Sequence, residues 1–193
     1  MNAGTASRAN DAGVILGQRT IPWPKSISPE AIERLKLSAQ MPPESIPDVS
    51  DTAAWPTFIA QQNAGMEQYL PPISTEIEVK EETLAGVKFY RATPRFLPMY
   101  DQRLYIEIHG GGLIFGAGEF TRVMGAMDAQ TFNTEVIAID YRVPPEHPFP
   151  AALDDCFSVY AAEVQKRGAH NIIVGGGSAG GNLSAALMLR VKA

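Results

Sequence analysis

The sequence is poor in the residues that build metal centres and disulfides, with one cysteine and three histidines among its 193 residues. A lone thiol, Cys156, excludes an intrachain disulfide and a thiolate metal cluster. His109, His147 and His170 form no close pair, so no zinc-ligand spacing is present, and no metal or cofactor is expected. A membrane-spanning helix needs about 20 apolar residues, and no run approaches that length. Val14-Ile15-Leu16 is too short for the core of a signal peptide. The expectation is a soluble cytoplasmic protein. Basic residues are outnumbered, 16 against 21 acidic, for a net charge of −5. Phosphate backbones select a basic face, so nucleic acid is not the expected partner. What is present is an ordinary globular composition, 45% hydrophobic and 19% charged, which excludes disorder as the main state. The length suits about one domain with an appendage.

Proline and glycine divide the chain. Nine of the 15 prolines lie in residues 1–72, and ten of the 17 glycines lie in two clusters, 110–118 and 175–181. Residues 1–72 read as short helices joined by proline-rich turns. Ser28 before Pro29 is an N-cap signal, Ile32, Leu35 and Ala39 recur at helical spacing, and Met41-Pro42-Pro43 ends that helix. A second helix is expected from near Pro56 to Leu70, with Trp55, Phe58, Ile59, Gln62, Met66, Tyr69 and Leu70 on one face. That face reads either as plain core or as the lining of an acyl pocket.

From residue 73 the period changes. Ile77 and Val79, then Val87, Phe89 and Arg91, alternate as two strands around a turn at 83–86. Leu104, Ile106 and Ile108 mark a third strand. Residues 136–139 and 172–174 are apolar runs that suit strands buried on both faces. Residues 150–166 read as a helix with Leu153, Cys156, Phe157, Tyr160 and Val164 inward and Gly168 as its C-cap. A last helix occupies 181–193. Strands alternating with helices predict an α/β fold with a mostly parallel sheet covered on both faces.

Two motifs carry chemistry. Gly176-Gly177-Ser178-Ala179-Gly180 follows a strand and opens a helix, as a G-x-S-x-G elbow requires. A serine on so sharp a bend stands clear of the backbone, and its neighbours must be very small. The helix start also aims N–H groups at whatever bonds to the serine. The same segment formally fits G-x-G-x-x-G through Gly175, Gly177 and Gly180. That dinucleotide reading needs an acid about 20 residues later, and only 13 residues follow Gly180. His109-Gly110-Gly111-Gly112, directly after a strand, is the second motif. Successive glycines let backbone N–H groups turn toward one point, where they and the N–H of Ala179 can bind an oxyanion.

These two motifs and Asp140-Tyr141-Arg142-Val143-Pro144-Pro145-Glu146-His147-Pro148-Phe149-Pro150-Ala151 occur in an order that closely resembles the hormone-sensitive-lipase-like group of α/β-hydrolase esterases. The resemblance covers roughly 73–193, with 1–72 looking like that group's N-terminal helical cap segment. It implies hydrolysis of small apolar esters or lactones through an acyl-serine intermediate. Ser178 would be the nucleophile, and Gly110, Gly111 and Ala179 the oxyanion donors. His109 would shape the glycine loop, while Arg142, Glu146 and His147 would brace the neighbouring loops. Gly177 departs from the group, which usually carries an acid there.

The group's order is serine, then acid, then histidine, yet no Asp, Glu or His follows Ser178. The sequence therefore reads as a C-terminally truncated hydrolase without the last strands of the fold. It is expected to be almost inactive alone, with a bare strand edge that favours aggregation. The triad acid and histidine would come from a missing C-terminal segment or partner chain. A non-catalytic small-molecule-binding protein on the same scaffold is the alternative.

Overall fold

The computed structural model describes residues 8–10, 13–16, 19–40 and 46–192. Contacts divide the chain into two compact units, Met1–Ile46 and Pro47–Ala193.

The first unit contains three short antiparallel strands, β1 (Arg8–Asn10), β2 (Gly13–Leu16) and β3 (Arg19–Pro22), followed by helix α1 (Pro29–Gln40). This corrects the all-helical expectation for the N-terminal region. Strands of three or four residues are too short to display alternation. Helix α1 begins as its cap signal requires: the Ala31 N–H donates to Ser28 Oγ at 3.3 Å, and the Ile32 N–H to the Ser28 carbonyl at 3.1 Å. The proposed stop at Met41-Pro42-Pro43 lies outside the described residues.

The second unit opens with α2 (Trp55–Glu67) and continues through β4 (Ile77–Leu84), β5 (Val87–Pro94) and β6 (Leu104–Ile108). Then come α3 (Glu119–Phe132), β7 (Glu135–Ile139), α4 (Ala151–Arg167), β8 (Ile172–Gly175) and α5 (Ala179–Lys192). The sheet order is β4-β5-β7-β6-β8. Ala85 and Gly86 both have positive φ, 54° and 81°, the combination a two-residue hairpin turn needs.

That hairpin is the reason the fold-class expectation fails. The sheet is mixed, not mostly parallel: β4–β5 and β5–β7 are antiparallel, and only β6–β7 and β6–β8 are parallel. With β1–β3, four of the six described pairings are antiparallel. Helical crossovers force parallel pairing only where a helix separates two strands, which happens here from β6 onward.

Alternation sorts the β6 side chains. Leu104, Ile106 and Ile108 join Ile137 and Ile139 against Cys156 and Val159 of α4 and Leu183 and Leu187 of α5. Burial pushes the Cys156 thiol up to about 12, so it acts as packing. On the other face Ala92 and Val136 meet Ala126 and Ala129 of α3. The sequence reading missed α3. A Cβ added at Gly125 would sit 2.6 Å from the Ala138 Cβ, so this helix lies close on the sheet through small residues that leave only a faint apolar stripe. β7 is buried on both faces as expected, but β8 is not: Ile173 is 69% exposed, because β8 ends the sheet order.

Candidate active site

β6 and β8 run side by side and parallel, with Glu107 opposite Gly175. Their C-terminal ends therefore release two glycine-rich loops next to each other, the place where α/β sheets put their sites. On the β8 side the backbone bends sharply into α5. Ser178 sits at φ 54°, a left-handed conformation that a side chain rarely adopts, and it is exposed. The bend is closed by the Gly180 N–H donating to the Gly177 carbonyl at 2.9 Å and the Asn182 N–H to the Ser178 carbonyl at 3.1 Å.

The glycines around the serine have separate reasons. A Cβ at Gly176 would lie 2.1 Å from the Ile108 carbonyl oxygen, and one at Gly180 only 1.7 Å from it. The start of α5 is thus pressed on the end of β6, and both positions exclude a side chain. A Cβ at Gly177 would meet nothing within 4 Å, so an acid at this position would have room.

On the β6 side, Gly110 reaches the elbow. Its Cβ, if present, would be 3.1 Å from the Gly177 carbonyl oxygen and 3.6 Å from the Ser178 Cβ. Gly111, Gly112 and Leu113 follow with φ of 111°, 63° and 70°, and the turn closes where the Phe115 N–H donates to the Gly111 carbonyl at 2.8 Å. Among the described residues no backbone carbonyl accepts the N–H of Gly110, Gly111 or Ala179. Ala179 is the first residue of α5, where the helix dipole is positive. The structure thus places Gly110 beside Ser178, with Ala179 and Gly111 as their chain neighbours.

His109 is fully buried and stacks on the Tyr141 ring at 3.9 Å, and the Tyr141 hydroxyl donates to the His109 carbonyl at 2.9 Å. Its Nδ1 is 2.7 Å from the Gly110 carbonyl. A carbonyl only accepts, so Nδ1 carries the proton. Burial holds the ring's pKa below the usual histidine range, leaving it neutral, with Nε2 unpartnered. This ring shapes the loop. His147 is exposed in the proline turn. His170 is exposed at the opposite end of β8, one four-residue strand or about 13 Å from the elbow. Among the described residues no side chain hydrogen-bonds to Ser178 Oγ. Of the expected braces, Arg142 grips Asp155 through its backbone N–H at 2.9 Å and through Nη2 at 2.6 Å. Glu146 and His147 are exposed, with no side-chain partner among the described residues.

The loops have further support in contacts that the sequence does not specify. Asp140 accepts the Gly118 N–H at 2.9 Å and pairs with Lys88 at 2.9 Å, and Thr121 Oγ1 donates to the Gly116 carbonyl at 2.6 Å. Trp55 packs edge-on against Phe58, and Phe58 against Phe115. An apolar cavity of about 200 Å³ lies between Val49, Thr52, Trp55, Ile114, Pro144 and Pro145. Of the helix face singled out beforehand, Ile59 is buried, while Tyr69 lies beyond α2 and is 85% exposed. A larger cavity of about 350 Å³ opens at the far end of the sheet, beside His170 and Ile173.

Residues 105–193 match a family of the α/β-hydrolase fold. An esterase of Acinetobacter venetianus is 34% identical over 122 residues, covering 63% of this chain and 39% of that protein. The hormone-sensitive lipase of Ictidomys tridecemlineatus is 29% identical over 177 residues, covering 87% of this chain and 22% of its own length. The crystal structure of a hormone-sensitive-lipase homologue from a metagenome library aligns with a TM-score of 0.63 at 34% identity, over 70% of this chain and 46% of that one. The chain spans less than half the length of these relatives.

A mixed sheet with a strained serine at its strand-to-helix bend is an α/β-hydrolase arrangement. Over the segment that matches, just under half of the chain for the family model, the chain is similar to hormone-sensitive-lipase-like esterases of the α/β-hydrolase fold. No helix among the described residues is long and apolar enough to cross a membrane.

Proposed function

We propose that this chain carries the nucleophile and oxyanion half of a carboxylic-ester hydrolase. The observation that carries the reading is the exposed, left-handed Ser178 against Gly110. In this reading Ser178 Oγ attacks the carbonyl carbon of a small apolar ester or lactone. The carbonyl oxygen takes up negative charge and is met by the N–H groups of Gly110, Gly111 and Ala179. The C–O bond to the alcohol then breaks, leaving an acyl-serine that water hydrolyses. The cavity beside Trp55 and Ile114 favours a small apolar acyl group, because Ile114 stands on the hydrogen-bonded turn that begins at Gly111.

The Oγ proton needs an acceptor. His109 is committed to the loop, His147 and His170 do not bond to Ser178, and no Asp, Glu or His follows Ser178 in the sequence. In this reading the base and its orienting acid are supplied by polypeptide outside these residues. Loss of the histidine from a serine triad costs on the order of 10⁶ in turnover, so the chain by itself hydrolyses esters barely above background. The unpartnered Ser178 Oγ also fits a second reading, a scaffold that binds small apolar molecules without turning them over.

The test is a fluorophosphonate probe at alkaline pH with peptide mapping, beside p-nitrophenyl butyrate turnover of the chain and its Ser178→Ala variant. Slow labelling confined to Ser178, with turnover near that of the variant, is the expected result. No labelling of Ser178 at any pH favours the binding scaffold. Robust serine-dependent turnover by the chain alone overturns the assignment of the base to other polypeptide.

A further inference from the structure

The glycine loop is held from behind by α2, which carries none of the motif residues. Gly116 closes that loop: it is buried, at φ 93°, and a Cβ on it would lie 2.9 Å from both the Gly110 carbonyl oxygen and His109 Nδ1. Gly116 thus sits beside the Gly110 carbonyl and the His109 ring, with no room for a side chain between them. Gly116 is gripped on both sides. Its carbonyl accepts from Thr121 Oγ1 at 2.6 Å, and its N–H donates to Asn63 Oδ1 at 2.9 Å, across 53 residues of sequence. The Phe58–Phe115 edge contact, with centroids 6.0 Å apart, packs the same helix on the adjoining residue.

We propose that Asn63 is a positioning residue for the oxyanion donors: it fixes the Gly116 peptide, and through it the direction of the Gly110 and Gly111 N–H groups. This rests on the reading of Ser178 and its donors given above. The Asn63 amide oxygen is the only part of the side chain that the bond uses. A carboxylate at that position can accept the same N–H, whereas a methyl group cannot. Without the acceptor, Gly116 loses a partner at a buried site, and the glycine-rich turn is free to rotate its peptides. A turn that rotates presents its donors in the wrong direction for part of the time, which weakens charge stabilisation without changing how a ligand is held elsewhere.

The experiment compares the chain with Asn63→Ala and Asn63→Asp in two measurements. The first is the rate of Ser178 phosphonylation by the fluorophosphonate, resolved into a saturating rate and a half-saturating concentration. Asn63→Ala lowers the saturating rate about five- to tenfold, the order of one net hydrogen bond. It leaves the half-saturating concentration unchanged, and Asn63→Asp restores most of the rate. The second is amide hydrogen exchange of peptides covering residues 110–117. Exchange rises about five- to tenfold in Asn63→Ala and not in Asn63→Asp. Equal behaviour of the two variants in exchange, whether both match the parent or both differ from it, overturns the proposal. If the parent chain is not labelled at Ser178, the catalytic reading fails, while the exchange comparison still decides whether Asn63 holds the loop.

Discussion

Glu107 offers a pH-dependent test of the packing around the site. It lies on β6, two residues before His109, and is 5% exposed with Oε2 unpartnered. Burial, with a smaller contribution from the Asp128 carboxylate, pushes its pKa from 4.5 up to about 8. The native state therefore keeps a proton that the unfolded chain releases above pH 4.5. The stability associated with this group is complete below pH 4.5 and is lost as pH rises toward 8. At about 1.4 kcal/mol per pH unit, the loss across that interval is at most about 5 kcal/mol for the shift from 4.5 to about 8. Glu107→Gln replaces the neutral acid with an isostere that cannot ionise. Urea unfolding at pH 5, 6, 7 and 8 is expected to show the parent losing stability steadily relative to the variant, because the other groups shifted by burial, His109 downward and Asp128 upward, are common to both and cancel in the difference. The two are expected to agree within about 1 kcal/mol at pH 5, and the variant to be clearly the more stable at pH 8. Parallel curves for parent and variant would refute the assignment of a buried proton to Glu107.

Three substitutions test other parts of the geometry. Gly180→Ala drives a methyl group into the Ile108 carbonyl and is expected to cost about 3 kcal/mol or more by thermal or urea unfolding, at the upper end for overpacking. Gly177→Ala, three residues earlier in the same motif, enters open volume and is expected to stay within about 1 kcal/mol of the parent. At the opposite end of the sheet, buried Glu163 binds Arg167 at 2.9 Å and Arg91 at 3.4 Å, and both arginines also reach Glu135. Glu163→Ala leaves those guanidinium groups short of a partner and is expected to cost about 3–5 kcal/mol in urea unfolding, with no change in Ser178 labelling while the protein remains folded.

Much of the site was legible because its chemistry demands particular residues. Gly176 and Gly180 are glycines because the Ile108 carbonyl occupies the space of a Cβ, and a serine at φ 54° between them leaves a short, recognisable signature. The glycine loop after β6 and the Ser28 cap are legible for the same reason: the local backbone conformation restricts the residue. The proportion of parallel pairing was not legible. Val87, Phe89 and Arg91 alternate in the same way whether the next strand runs up or down, and β5 pairs with β7 across 44 residues of sequence at the Ala92–Val136 pair. Helix α3 was hidden by Gly125 and its small neighbours, whose value is close approach to Ala138 and not hydrophobic area. Asn63 and Gly116 belong to no motif, and only the folded chain brings them within 2.9 Å. Glu107 lies in a strand whose other residues predict an apolar interior, so its buried proton emerges only from the packing.

The most direct measurement of the central claim is a crystal structure of the chain after phosphonylation by a small alkyl fluorophosphonate. The account predicts phosphorus bonded to Ser178 Oγ, with the phosphonyl oxygen about 2.7–3.1 Å from the N–H groups of Ala179 and of Gly110 or Gly111. An adduct on another residue, or a phosphonyl oxygen turned away from both glycine-rich loops, would contradict it.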